Sequence, residues 1–210
     1  MSNNIKYESK EADKKNRKRG DQLIESIYDA TLNILRAEGY NNLTFAKIAD
    51  IAQTSRTVLY RRWPSPFALV RDIMIYKSKK AIGGDLIDKI KDTGSLRGDL
   101  LYMLKLYQNI YLETGPEIMN AMLFEMSQRN VKIPVIKDDI WHRNVIYMSK
   151  IIQFAEARGE KIKKLSPVAL TLPFDLVRMS FMWEQRVLDK KAREQLVDEI
   201  LLPVYVDMSK

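Results

Sequence analysis

The sequence predicts an all-α fold, with a small three-helix unit near the N-terminus and a larger helical unit behind it. Apolar residues recur at helical spacing in segment after segment. No stretch shows convincing period-2 alternation, and Gly or Pro stands at most of the joints between segments. With 210 residues, 46% of them hydrophobic, the chain can bury a real core as one large domain or as a small one plus a larger one.

Residues 1–19 contain no apolar periodicity and end in KKNRKRG, which predicts a flexible arm with a basic tip. Such a tip is either solvated or able to reach phosphates or a minor groove. From Asp21 to about Glu38, Leu23, Ile27, Ala30, Thr31 and Ile34 repeat at helical spacing, and Gly39 follows as a stop. Thr44 then offers an N-cap, with Phe45, Ile48, Ala49 and Ala52 forming one apolar face of a short helix. After Gln53, Thr54-Ser55 offers a second N-cap. The next segment turns Val58 and Leu59 inward and Arg56, Thr57, Tyr60 and Arg61 outward.

Two short helices joined by a tight turn, the second cationic on its outer face, can place a helix in the major groove, where Arg can take guanine O6 and N7 bidentately. A small helical hairpin with a solvated polar face has the same spacing. Beyond spacing, Ile48-Ala49, Ala52, Ser55, Leu59-Tyr60-Arg61, Trp63, Pro64-Ser65 and Ala68-Leu69 resemble the DNA-binding signature of TetR-type transcriptional regulators, over about residues 20–70. The resemblance implies a flexible basic arm over 1–19, a helix-turn-helix DNA-binding domain over 20–66, and a helical ligand-binding and dimerisation domain over 67–210. It implies a double-stranded DNA operator held by Thr44, Ser55, Arg56, Thr57, Tyr60, Arg61 and Arg62. Arg56, Thr57 and Tyr60 are expected at or beside base edges, with Thr44 and Arg61 mainly on phosphates.

Three positions depart from the family pattern. Gln53 stands where Gly usually makes the turn, so it must accept a left-handed conformation or shift the turn. Val58 replaces the usual Thr and removes a hydroxyl. Pro66 replaces a common phosphate-binding Lys, a charge that Arg61 and Arg62 can make up.

Ser65-Pro66 fits an N-cap followed by Pro at the first helical position, opening a fourth helix that runs toward Gly83-Gly84. Further helices are predicted at about 96–113, 116–129, 134–158, 166–188 and 191–207. Pro173 makes the fourth of these kink or begin near it, and Pro203 bends the last.

The large unit is rich in Met and aromatic side chains, which can line an adaptable apolar pocket or simply fill a core. Tyr107, Tyr111, Met122, Met126, Trp141 and Met148 are the expected contacts of a small, largely apolar ligand that releases the operator. The resemblance further implies a homodimer paired through the last two helices, with Val177, Phe181, Leu188, Leu196, Ile200 and Leu201 supplying apolar faces. His142, the lone histidine, shares a helix face with Asp138, but two ligands do not make a metal site.

Net charge is +8 and unevenly placed: residues 1–80 hold 16 Lys and Arg against 9 Asp and Glu, while the remainder holds 19 against 18. That asymmetry favours a polyanion partner for the N-terminal part. No Cys is present, which excludes disulfides and thiolate metal sites. No apolar run suits a membrane-spanning helix, and the Lys- and Glu-rich start lacks a signal-peptide core, so a cytoplasmic chain without a membrane partner is expected. An all-helical enzyme or a lipid or small-molecule carrier is the competing class. It lacks a nucleophile with its base and leaves residues 42–69 unexplained, so neither catalysis nor a cofactor or metal is expected.

Overall fold

The structure, a computed structural model, describes residues 2–128, 133–184 and 186–207, with the backbone alone described for 2–19 and 133–139. In chain order the helices are α1 (Ser2–Glu38), α2 (Phe45–Ile51), α3 (Arg56–Arg62), α4 (Pro66–Ile82), α5 (Leu86–Lys89) and α6 (Leu96–Thr114). They continue as α7 (Pro116–Ser127), α8 (Ile133–Ala157), α9 (Pro167–Met182), α10 (Lys190–Gln195) and α11 (Leu202–Tyr205), with a π-helical stretch at Leu196–Leu201. Among the described residues, extended pairing is limited to one bridge between Ile162 and Val206. The all-α expectation holds.

The first helix begins at Ser2, where the absence of apolar periodicity predicts an arm. Periodicity reports a buried face, whereas helix formation needs only compatible residues, and residues 2–19 are rich in Lys, Arg and Glu with no Pro. Gly20 interrupts them at a cost of only about 1 kcal/mol relative to Ala. The basic side chains ending that stretch lie outside the described residues.

Two compact units divide the chain: Met1–Ile73 with Asn120–Phe124, and Met74–Met119 with Glu125–Lys210. The division falls inside α4 rather than ahead of Phe67. The reason is local: Leu69, Val70 and Ile73 are fully buried, and Asp72 Oδ2 accepts both the Tyr28 hydroxyl and the Trp63 indole N–H at 2.9 Å. Ile27, Ile34, Ile48 and Leu59 complete the buried centre of the first unit. The Tyr40 and Phe124 rings lie 5.5 Å apart within it.

Ser65 caps α4 through the Ala68 N–H at 3.2 Å, as the Ser-Pro pair predicts. The helix ends at Ile82, and Gly83 and Gly84 follow at φ +70° and +147°.

In the second unit, α6 lies along a core that includes Leu100, Met103, Leu104, Phe174 and Tyr205. Its start is anchored by charge: buried Asp99 accepts from Arg158 at 2.8 Å, and Glu160 accepts from both Arg158 and the Leu96 N–H. Pro173 neither starts nor ends α9, which runs through it from Pro167. Because Pro173 has no N–H, the Ala169 carbonyl loses its helical donor, and the Tyr205 hydroxyl supplies one at 2.8 Å. Pro203 acts differently: its ring would crowd the Glu199 carbonyl in an α-helix, and the chain widens to π geometry just there. Between the two, α9 stops at Met182, short of the expected 188, and Asp189 caps a new helix through the Ala192 N–H at 2.7 Å.

Candidate functional site

Thr44 Oγ1 accepts the Lys47 N–H and Ser55 Oγ accepts the Val58 N–H, each at 3.3 Å, so both hydroxyls cap helices and keep an O–H to donate outward. The turn between α2 and α3 passes through Gln53 at φ +50°, the one non-Gly residue with positive φ among those described. Of the two routes open to a Gln at this place, the chain takes the left-handed one, and the turn stays in register.

On α3 the division of faces matches expectation. Leu59 is fully buried and Val58 half-buried, while Arg56, Thr57, Tyr60, Arg61 and Arg62 are exposed. Tyr60 is 62% exposed, and its ring stands edge-on to Phe45 at 4.8 Å, which fixes where its hydroxyl points. The Arg62 guanidinium lies 5.9 Å from the Trp63 ring centroid. Behind this surface, Asp72 joins Tyr28 of α1 to Trp63 at the end of α3. Sequence spacing had no means of finding that link, because its partners are 44 and 9 residues apart. Lys47, also missed, pairs with Glu38 at the surface.

The expected ligand contacts separate in the structure. Tyr107, Tyr111 and Met148 belong to the core of the second unit, Met122 is buried and Met126 half-buried. Trp141 is 41% exposed, its ring edge-on to that of His142. Exposed His142 has Asp138 as its suggested partner, whose side chain lies outside the described residues.

Sequence reading missed the polar group at this core. From α9, Arg178 Nε donates to the Tyr111 hydroxyl at 3.0 Å and Nη2 to the Tyr107 hydroxyl at 3.2 Å. The two phenol oxygens are 3.4 Å apart, and Nη1 reaches Asp175 at 2.7 Å. Burial, followed by the neighbouring Tyr107, pushes the Tyr111 hydroxyl well above the usual phenol range, so it stays protonated. Also on α6, Gln108 Oε1 and Thr114 Oγ1 are buried without a hydrogen-bond partner among the described residues.

The residues expected at a dimer face divide between the chain's own core and its surface. Val177, Leu188 and Leu201 are buried in the chain's own core. Phe181 and Leu196 are half-buried against that core, Phe181 lying 5.3 Å from the Tyr111 ring. Of the six, only Ile200 is exposed. The apolar side chains that α9 and its C-cap turn outward are Val168, Met179 and Trp183, which share one helical stripe, with Trp183 83% exposed.

A family model described as bacterial regulatory proteins, tetR family, matches residues 27–73, the segment that holds α2, the turn and α3. Over that segment the chain carries a tetR-type DNA-binding domain. An uncharacterized HTH-type transcriptional regulator of Mycobacterium tuberculosis is 29% identical over 181 residues, covering 82% of this chain and 83% of that one. Among solved structures, GusR of Salmonella enterica superposes with a TM-score of 0.63 at 15% identity, over 87% of this chain and 94% of that one. AibR, solved in complex with isovaleryl coenzyme A and operator DNA, has a TM-score of 0.57 at 15% identity, over 86% and 98%. At such identities the superpositions speak for the fold alone. With its tetR-type domain and its regulator relatives, the chain is a DNA-binding, helix-turn-helix transcriptional regulator rather than an enzyme. Among its described residues, no helix is long and apolar enough to cross a membrane.

Proposed function

We propose that this regulator is a cytoplasmic homodimeric repressor that leaves its operator when a small molecule binds in the second unit. The observation that carries the DNA half is the outward row on α3, where Arg56, Thr57, Tyr60, Arg61 and Arg62 stand exposed over a buried Leu59. Arg56, Thr57 and Tyr60 take base edges; Thr44, Ser55, Arg61 and Arg62 hold phosphates. One reading helix covers one half-site, so two chains are needed, set about 34–36 Å apart to enter successive major grooves. The outward stripe of Val168, Met179 and Trp183, with Ile200, is the face offered for that pairing.

The ligand half rests on the Tyr107, Tyr111 and Met148 core and its polar neighbours. AibR gives support by analogy, because that protein, of the same fold, takes both operator DNA and a small molecule. Helix α4 is shared by both units, so a ligand-dependent change in its tilt is the proposed link between them. A coupling of about 1–3 kcal/mol, roughly 5–150-fold in operator affinity, is the expected scale.

The test is a gel shift at physiological salt, comparing the DNA upstream of the chain's own gene with random duplex. A preference of about a thousandfold supports the reading, whereas equal affinity for both duplexes overturns it.

A further inference from the structure

Arg178 and the two tyrosines beside it have more hydrogen-bond donors than this group has acceptors. A guanidinium has five N–H donors. Arg178 spends Nε–H on Tyr111, one Nη2–H on Tyr107 and one Nη1–H on Asp175, leaving one N–H on each terminal nitrogen. Both phenol oxygens accept from Arg178, and the 3.4 Å contact between them uses only one of their two hydroxyl hydrogens. The other hydroxyl hydrogen has no acceptor in this group. Three donors of this group are therefore left over among the described residues, beside a positive charge whose ion-pair partner there is Asp175.

The single carboxylate on Arg178 does not answer this demand. Asp175 is half in water, where its charge is screened, and it touches one nitrogen only. Along α6 acceptors are left over as well. Gln108, three residues before Tyr111, and Thr114, three after it, are more than nine-tenths buried, with Gln108 Oε1 and Thr114 Oγ1 unpartnered among the described residues. Leaving a buried polar atom unpaired is costly, and native proteins rarely do so without a use for it. Phe174 and Phe181 flank the two tyrosines at 4.9 and 5.3 Å, so the surroundings are otherwise apolar.

We propose that Arg178, Tyr107 and Tyr111 form the anchor for the carboxylate of a small amphipathic acid, whose body lies among the aromatic side chains and whose hydroxyl or amide N–H reaches Gln108 or Thr114. This rests on the reading that the second unit holds the effector, and changes that effector from a largely apolar molecule to an organic anion. A carboxylate takes two N–H and one O–H together, whereas an alcohol or an amine cannot.

Isothermal titration of the full chain tests it with acetate through dodecanoate, benzoate, phenylacetate and their 2-hydroxy forms, each against the matching primary alcohol. At least one acid is expected to bind about tenfold to a hundredfold more tightly than its alcohol. Arg178→Gln should erase that ratio, and Arg178→Lys should keep part of it. Tyr111→Phe, which removes one hydroxyl from the surface of a retained ring, should lower acid affinity several-fold and carries the comparison if Arg178→Gln does not fold. The proposal is overturned if no acid binds, if alcohols bind as well as acids, or if the variants leave the ratio unchanged. Operator affinity measured on the same samples keeps the two readings apart. An acid that binds through Arg178 without moving operator affinity removes the switch and leaves the site; operator binding with no acid bound removes the site and leaves the repressor.

Discussion

The Tyr205 hydroxyl donates to the Ala169 carbonyl at 2.8 Å, and Ala169 is the residue whose helical donor Pro173 removes. A side chain two residues from the end of the described chain thus completes the backbone of α9. Tyr205 is fully buried, so nothing from solvent can substitute. Tyr205→Phe should destabilise the protein by about 1–3 kcal/mol, the cost of a buried unpaired carbonyl. In a Pro173→Ala background, where the backbone N–H returns, the same change should cost less than half as much. A urea-melt double-mutant cycle with no coupling between the two positions would refute this account.

Asp72 is the acceptor on which Tyr28 and Trp63 converge. Asp72→Ala should cost about 1.5–3 kcal/mol, since hydrogen bonds to a charged group are lost at a partly buried place. It should also weaken operator binding by loosening α3, with the dependence on salt unchanged because no phosphate contact is removed. A steeper or shallower salt slope would indicate that Asp72 acts through charge instead.

Gln53 occupies the left-handed region at φ +50°. Gly relieves a strain of about 1–2 kcal/mol there but costs roughly 0.5–1 kcal/mol in unfolded-state entropy, so Gln53→Gly should stabilise by about 0.5–1 kcal/mol. Gln53→Val, β-branched, should destabilise by at least about 1 kcal/mol. Thermal melts of the pair should move in opposite directions.

Arg56 and Arg61 stand exposed on the same short helix, yet different losses are expected from them. Arg56→Ala should cost about 1–3 kcal/mol on the operator and relax sequence preference. Arg61→Ala should weaken all duplexes about equally and flatten the salt dependence by about one unit of slope. Competition binding with operator, mutated operator and random duplex separates the two patterns.

Met179 and Trp183 are the large apolar side chains most exposed on the outer stripe of α9. Replacing both with Glu should leave a folded chain, because neither contributes to the buried core, while raising the dimer dissociation constant at least about a hundredfold. Sedimentation at micromolar concentration shows the outcome, and a double variant that stays dimeric places the interface elsewhere.

What could be read along the chain was whatever neighbours in sequence decide. The caps Thr44, Ser55 and Ser65, the stop at Gly39 and the inward Leu59 all depend on residues three or four positions away, and each stands where spacing put it. The DNA-facing row on α3 was legible for the same reason: one buried Leu on a seven-residue helix determines which side is left for solvent. Even the turn at Gln53 was narrowed to two local choices.

Periodicity shows that a face is apolar and leaves open what covers it. Val177, Leu188 and Leu201 had the pattern of an interface, but an apolar stripe can be covered by a second chain or by its own, and only packing showed that its own covers it. Helix α1 extends beyond its apolar stretch because a helix needs no buried face to form. The pairs that characterise the second unit are non-local: Arg178 meets Tyr107 from 71 residues away, and Tyr205 meets Ala169 from 36. Spacing carries no trace of such contacts, since hydrogen bonding is decided by distance in space, and the folded chain alone brings those atoms within 3.2 Å.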